Sequence, residues 1–144
     1  MTVTSATDSL ARFGLRPEDA LLDEVREVLR TQTRLEEEDH DDSDIDLMRL
    51  SCVQLFNAGV LEDVLLIWDA KTSSFDAGCS IDVQLLCGAG LPETKAFLQQ
   101  LPPGSEADGA LEWLLECEAA GDFENFSAER WSASYGSSYA CTEA

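Results

Sequence analysis

The sequence predicts an all-α protein built of stacked helical hairpins, and three observations carry that expectation. Apolar residues recur at three- and four-residue steps, without strand-like alternation. Glycines and prolines fall where helices would end and begin. An Ala-Gly dipeptide returns at constant spacing, placing Gly59, Gly90 and Gly121 31 residues apart in turn. Two arrangements remain open: a short α-solenoid-like array, and a compact six- to seven-helix bundle.

Residues 1–16, rich in Thr and Ser with few apolar anchors, read as a flexible N-terminal arm. A first helix opens at Pro17, with Glu18 and Asp19 suiting its positive end. Leu21, Leu22, Val25, Val28, Leu29 and Leu35 share one side of it, and Asp23, Arg26, Glu27, Arg30 and Arg34 the other. Residues 36–46 then concentrate charge: eight of the eleven are acidic, so repulsion favours an open loop. The calcium-loop pattern fails there, because counting from Asp39 the sixth and twelfth places hold Asp44 and Leu50. Ser43 or Asp44 is placed to cap the next helix.

That next helix is apolar around much of its circumference (Leu47, Met48, Leu50, Cys52, Val53, Leu55, Phe56), which marks a central element, and Gly59 ends it as a left-handed cap. Glu62 and Asp63 open a further helix that closes at Lys71, and residues 72–78 read as loop. Ser80 is placed to cap a short helix through Leu86, and Pro92 opens one that runs to Gln100. After Pro102, Pro103 and Gly104, Ser105 with Asp108 forms a capping pattern ahead of Leu111, Leu114 and Leu115. A last short helix follows Ser127 and holds Trp131. The domain reading is one helical domain over 17–135 and a flexible C-terminal tail over 136–144.

Three of the four Ala-Gly sites carry a glutamate three residues on, at Glu62, Glu93 and Glu124, while the fourth, Ala77 with Gly78, lies off this register. Flanking apolar positions correspond in the first two units, Leu55 with Leu86, Val60 with Leu91, Leu66 with Phe97 and Ile67 with Leu98. Gly59 and Gly90 are therefore expected at equivalent turns, with Leu66 and Phe97 buried. The run from Gly59 to Leu66 resembles the turn and outer helix of ankyrin repeats, in which glycine precedes a helix of similar acidic and aliphatic order. The resemblance spans residues 50–126 at most, lacks the Thr-Pro-Leu-His tetrapeptide of that family, and implies hairpin stacking.

With 29 acidic against 9 basic side chains, the formal charge is −20. Such a field repels phosphate backbones and anionic lipid, so neither nucleic acid nor a membrane surface is expected as partner, whereas a basic protein surface is. The longest apolar run, Val64 to Trp68, is too short to span a bilayer, and the N-terminal stretch lacks the pattern of a secretory signal. Five cysteines without a CxxC pair read as reduced thiols, three of them in apolar helical patterns, and the protein is expected in the cytoplasm.

No catalytic motif is found. The single histidine, His40, lies in the acidic segment, and neither HExxH, GxSxG nor a phosphate-cradling glycine loop occurs. No enzyme activity, cofactor or metal is therefore expected. The reading favoured is an acidic helical protein-interaction module, one concrete form being an inhibitor or immunity-type protein for a basic partner. Its candidate contact residues are Glu36, Glu37, Glu38, Asp39, Asp41 and Asp42 in the acidic segment, and Trp113. Trp113 points away from the mean direction of Leu111, Leu114 and Leu115, so it is either exposed or covered by the aromatic tail. The alternative is a small carboxylate-based enzyme, with or without an assisting metal, which requires acidic groups converging in a pocket with raised pKa values.

Overall fold

The computed structural model describes residues 3–38 and 43–143, and every regular element among them is helical. The α-helices are α1 (Ala6–Phe13), α2 (Asp19–Glu38), α3 (Ile45–Ala58), α4 (Val64–Lys71), α5 (Phe75–Ser80), α6 (Leu91–Gln99), α7 (Glu106–Ala119) and α8 (Ala128–Glu143). Short 3-10 turns at Leu61–Asp63 and Val83–Cys87 lead into α4 and α6.

Helix α3 is the central element its composition predicts. Every residue from Leu50 to Phe56 is buried, including Ser51 and Gln54. Helices α1, α2, α5 and α8 pack around it, while α6 and α7 form a hairpin joined to the rest through α4 and the second 3-10 turn. Because α8 returns to α3, the helices enclose a common core and do not contact sequence neighbours alone.

Segment 1–16, read as a flexible arm, contains α1. Ser5 caps that helix by accepting from the Asp8 N–H, and Ser9, Leu10 and Phe13 are buried. Side chains far along the chain hold it: Gln54 donates to the Gly14 carbonyl at 2.7 Å, and Asn57 to the Leu15 carbonyl at 2.8 Å. Arg16 donates to Ser132, whose hydroxyl in turn donates to Asn57. These ties between α1, α3 and α8 leave no local trace in the first sixteen residues.

The far end differs in the same way. Helix α8 runs on through residues assigned to a flexible tail. Trp131, Tyr135 and Tyr139 recur every fourth residue and form its inner stripe, with Tyr135 edge-on to Phe56 at 6.1 Å between ring centroids. The segment 72–78, read as loop, contains the start of α5, capped by Ser74, and the helix expected from Ser80 to Leu86 is a 3-10 turn starting at Val83.

The Ala-Gly sites do not share a conformation. Gly59 is left-handed (φ 67°, ψ 30°) and caps α3, whereas Gly90 (φ 108°, ψ 149°) precedes α6. Leu66 and Phe97 are half-buried against the core. The two turns touch each other, for a side chain added at Gly59 would lie 3.3 Å from the Gly88 carbonyl oxygen.

Candidate protein-binding surface

Glu36 must be removed from the candidate contact residues. It is only 2% exposed, and its carboxylate accepts hydrogen bonds from the Ser43 hydroxyl at 2.8 Å and the Ser74 hydroxyl at 2.9 Å. Gln32, one helical turn earlier, accepts from the Asp44 N–H at 2.7 Å. The end of α2 thus receives the chain where it re-enters at 43–44, and also steadies the Ser74 cap of α5. Helix α2 extends to Glu38, so the first three residues of the acidic run are helical rather than loop. Glu37 and Glu38 are exposed, while Asp39, Asp41 and Asp42, with His40, lie outside the described residues.

Trp113 is 42% exposed. It stands beside the buried stripe of α7 (Ala107, Ala110, Leu114, Cys117). The aromatic residues that follow do not cover it: Phe123, Phe126, Trp131 and Tyr135 stack in sequence on one another and end on Phe56. Two turns before Trp113, on the same flank of α7, is Glu106. Between them Gly109 faces Trp68 of α4, from which an added side chain would be 3.8 Å away.

On this flank lies a pair that sequence reading missed. The carboxyl of Asp69 shares a hydrogen bond with Glu106, and its pKa is pushed up to about 7. Partial burial is the main cause, followed by the hydrogen bond and the negative charges of Glu106 and Glu37. The end of α2, α4 and the start of α7 therefore bring acidic groups together, and Trp113 stands two turns along α7 from Glu106. They do not form a ligand set: among the described residues no three His, Cys, Asp or Glu side chains are placed to hold a metal ion. No local pattern reveals the pair, since Asp69 and Glu106 sit on helices joined only by tertiary packing.

A pH dependence follows. The folded protein holds the Asp69 proton up to about pH 7, whereas an unfolded chain releases it near the ordinary carboxylate value. The stability associated with this group is fully present at acid pH and is lost as pH rises towards 7. Urea unfolding of Asp69→Asn should therefore show a flatter stability profile between about pH 4 and pH 7 than the parent protein. Parallel profiles would show that the carboxyl titrates normally.

Several other chemistry-bearing groups serve the fold. Asp63, 6% exposed, accepts two N–H groups from Arg26 at 2.8 and 2.9 Å, tying the first 3-10 turn to α2. Lys71 donates to the carbonyls of Gly78 within α5 and of Ile81 just after it, and burial lowers its pKa. Cys52, Cys87 and Cys117 are buried free thiols, and burial pushes Cys52 and Cys87 up to about 12, which leaves them inert. No described helix is long and apolar enough to cross a membrane. Comparison of the chain with protein-family models, curated proteins and solved structures finds no match.

Proposed function

We propose that the chain is a protein-binding module that presents an acidic helical flank, anchored on Trp113, to a positively charged protein partner in the cytoplasm. One observation carries this reading: the exposed Trp113 lies on the flank of α7 that also holds Glu106, whose neighbour Asp69 feels the further charge of Glu37, in a chain of formal charge −20. Exposed tryptophans serve as anchors at interface centres, and a surrounding field of opposite sign speeds encounter. An inhibitor or immunity-type protein that neutralises a basic toxin or nuclease is one concrete form.

The test combines identification with kinetics. A partner is captured by crosslinking in the native lysate, identified by mass, and its association measured by stopped flow. The expected partner is basic, and its association rate falls steeply as ionic strength rises and the screening length shrinks from about 30 Å at 0.01 M to about 8 Å at physiological salt. Trp113→Ala should raise the dissociation rate about tenfold or more. Neutralising Glu37, Glu38 and Glu106 to Gln should lower the association rate without unfolding the protein, because all three are exposed. A partner indifferent to salt and to all these substitutions would refute the reading.

The Asp69–Glu106 pair is the one observation that favours a carboxylate-based enzyme, since a carboxyl titrating near neutrality suits general acid–base work. That chemistry also needs a substrate cavity over the pair. Four concavities of about 360 to 530 Å³ among the described residues are lined by neither Asp69 nor Glu106.

A further inference from the structure

One of those concavities reverses the sign of the rest of the molecule. It is about 360 Å³, small but within the range of ligand sites, and lies between α3, the start of the second 3-10 turn and α8. Arg49, Asp82, Arg130, Trp131, Ser134 and Tyr135 are among its walls. Arg49 sits over the rings of Tyr135 and Tyr139, 5.2 and 6.0 Å from their centroids, donates to the Tyr139 hydroxyl, and comes within 4.0 Å of the Asp82 carboxylate. The same Asp82 oxygen accepts the Tyr135 hydroxyl at 2.5 Å, so its charge is already shared.

Arg130 is less accounted for. Its guanidinium meets no carboxylate among the described residues and reaches only the Asn125 carbonyl, at 3.5 Å. It also stands in the first turn of α8, where the helix dipole disfavours a cation. The wall therefore holds two guanidinium groups against one carboxylate, with the dipole adding positive potential. Trp131, fixed between Phe126 and Tyr135 at 6.0 and 5.8 Å, offers a rigid aromatic surface beside them.

We propose that this pocket binds a small organic oxyanion carried on a planar ring, its oxygens held by Arg130 with Arg49 behind, and its ring against Trp131. Arginine suits such a group because its N–H fork matches a carboxylate or phosphate. The ring supplies contact area that an inorganic anion lacks. The rest of the surface repels anions, so uptake of one by this protein reports on this pocket and not on diffuse attraction.

The test is titration of the full chain at low salt with AMP and with benzoate, followed by calorimetry and by the indole N–H resonances. Inorganic phosphate and adenosine serve as the anion and the ring alone. Saturable binding of AMP or benzoate in the millimolar range or tighter, with the Trp131 resonance shifting, supports the proposal, and which of the two binds better separates phosphate from carboxylate ligands. Arg130→Gln, an exposed position, should weaken that binding about tenfold, whereas Arg30→Gln on α2 should leave it unchanged. Absence of saturable binding by both ring-bearing probes overturns the proposal. So do equal losses in the two arginine variants, no loss in Arg130→Gln, or inorganic phosphate binding as tightly as the ring-bearing probes.

Discussion

Replacing Gly88 by alanine is expected to destabilise the protein by about 3 kcal/mol or more, the largest effect of any glycine substitution in the chain. The backbone at Gly88 is ordinary, with φ −61° and ψ −27°, so alanine would be tolerated there on conformational grounds. Space decides otherwise. An added side-chain carbon would lie 2.3 Å from the Phe56 carbonyl oxygen and 3.0 Å from two further backbone atoms of Phe56. Backbone cannot swing aside as a flexible side chain can, so the last turn of α3 and the turn before α6 must separate where both are packed into the core.

Two other glycines calibrate this result. Gly59→Ala should cost about 1–2 kcal/mol, because its left-handed φ of 67° strains any residue bearing a side chain. Gly136→Ala should stabilise by about 0.5–1 kcal/mol, since it lies within α8 with open space beside it. Urea unfolding of the three variants orders them. A neutral Gly88→Ala would mean that the two turns are not in close contact.

The second large effect is expected at Glu36. Glu36→Ala should cost about 3 kcal/mol, while Glu37→Ala and Glu38→Ala should each stay within about 0.5 kcal/mol of the parent. These are three identical residues in a row, and only the first turns into the core. Its loss removes one hydrogen-bond acceptor from each of the Ser43 and Ser74 hydroxyls. Ser74 then no longer has its proton directed away from the Ala77 N–H that it caps. Both the α2–α3 connection and the start of α5 should loosen, visible as faster amide exchange at Ala77 and at Asp44. Equal stability of all three variants would show that the carboxylate bonds contribute nothing net.

The contrast between Glu36 and its neighbours shows what a sequence can and cannot display about a site. Charge density along residues 36–46 is a local property and is plain in the sequence, whereas the apolar side read for α7 is not the one that is buried: Leu115 is exposed and Ala107, Ala110, Leu114 and Cys117 face inward. The burial of Glu36 depends on Ser43 and Ser74 arriving opposite it, and the raised pKa of Asp69 depends on Glu106 arriving from another helix. Arg49 and Arg130 share a pocket for the same reason. Trp131, Tyr135 and Tyr139 stand four residues apart, but the serines between them resemble a loop in composition, and residues 136–144 read as a tail.

By itself, the sequence determined the helical class, the central place of α3, the boundary at Gly59 and the negative charge of the whole. Each of these follows from interactions between residues a few positions apart, or from composition, and needs no knowledge of the fold. Only the tertiary structure decided that α1 and α8 close on α3, that the Ala-Gly sites adopt different backbones, and which carboxylates face water. Those outcomes rest on burial and on hydrogen bonds between distant residues, whose free energy exists only once the helices have packed, so no local pattern in the chain encodes them separately.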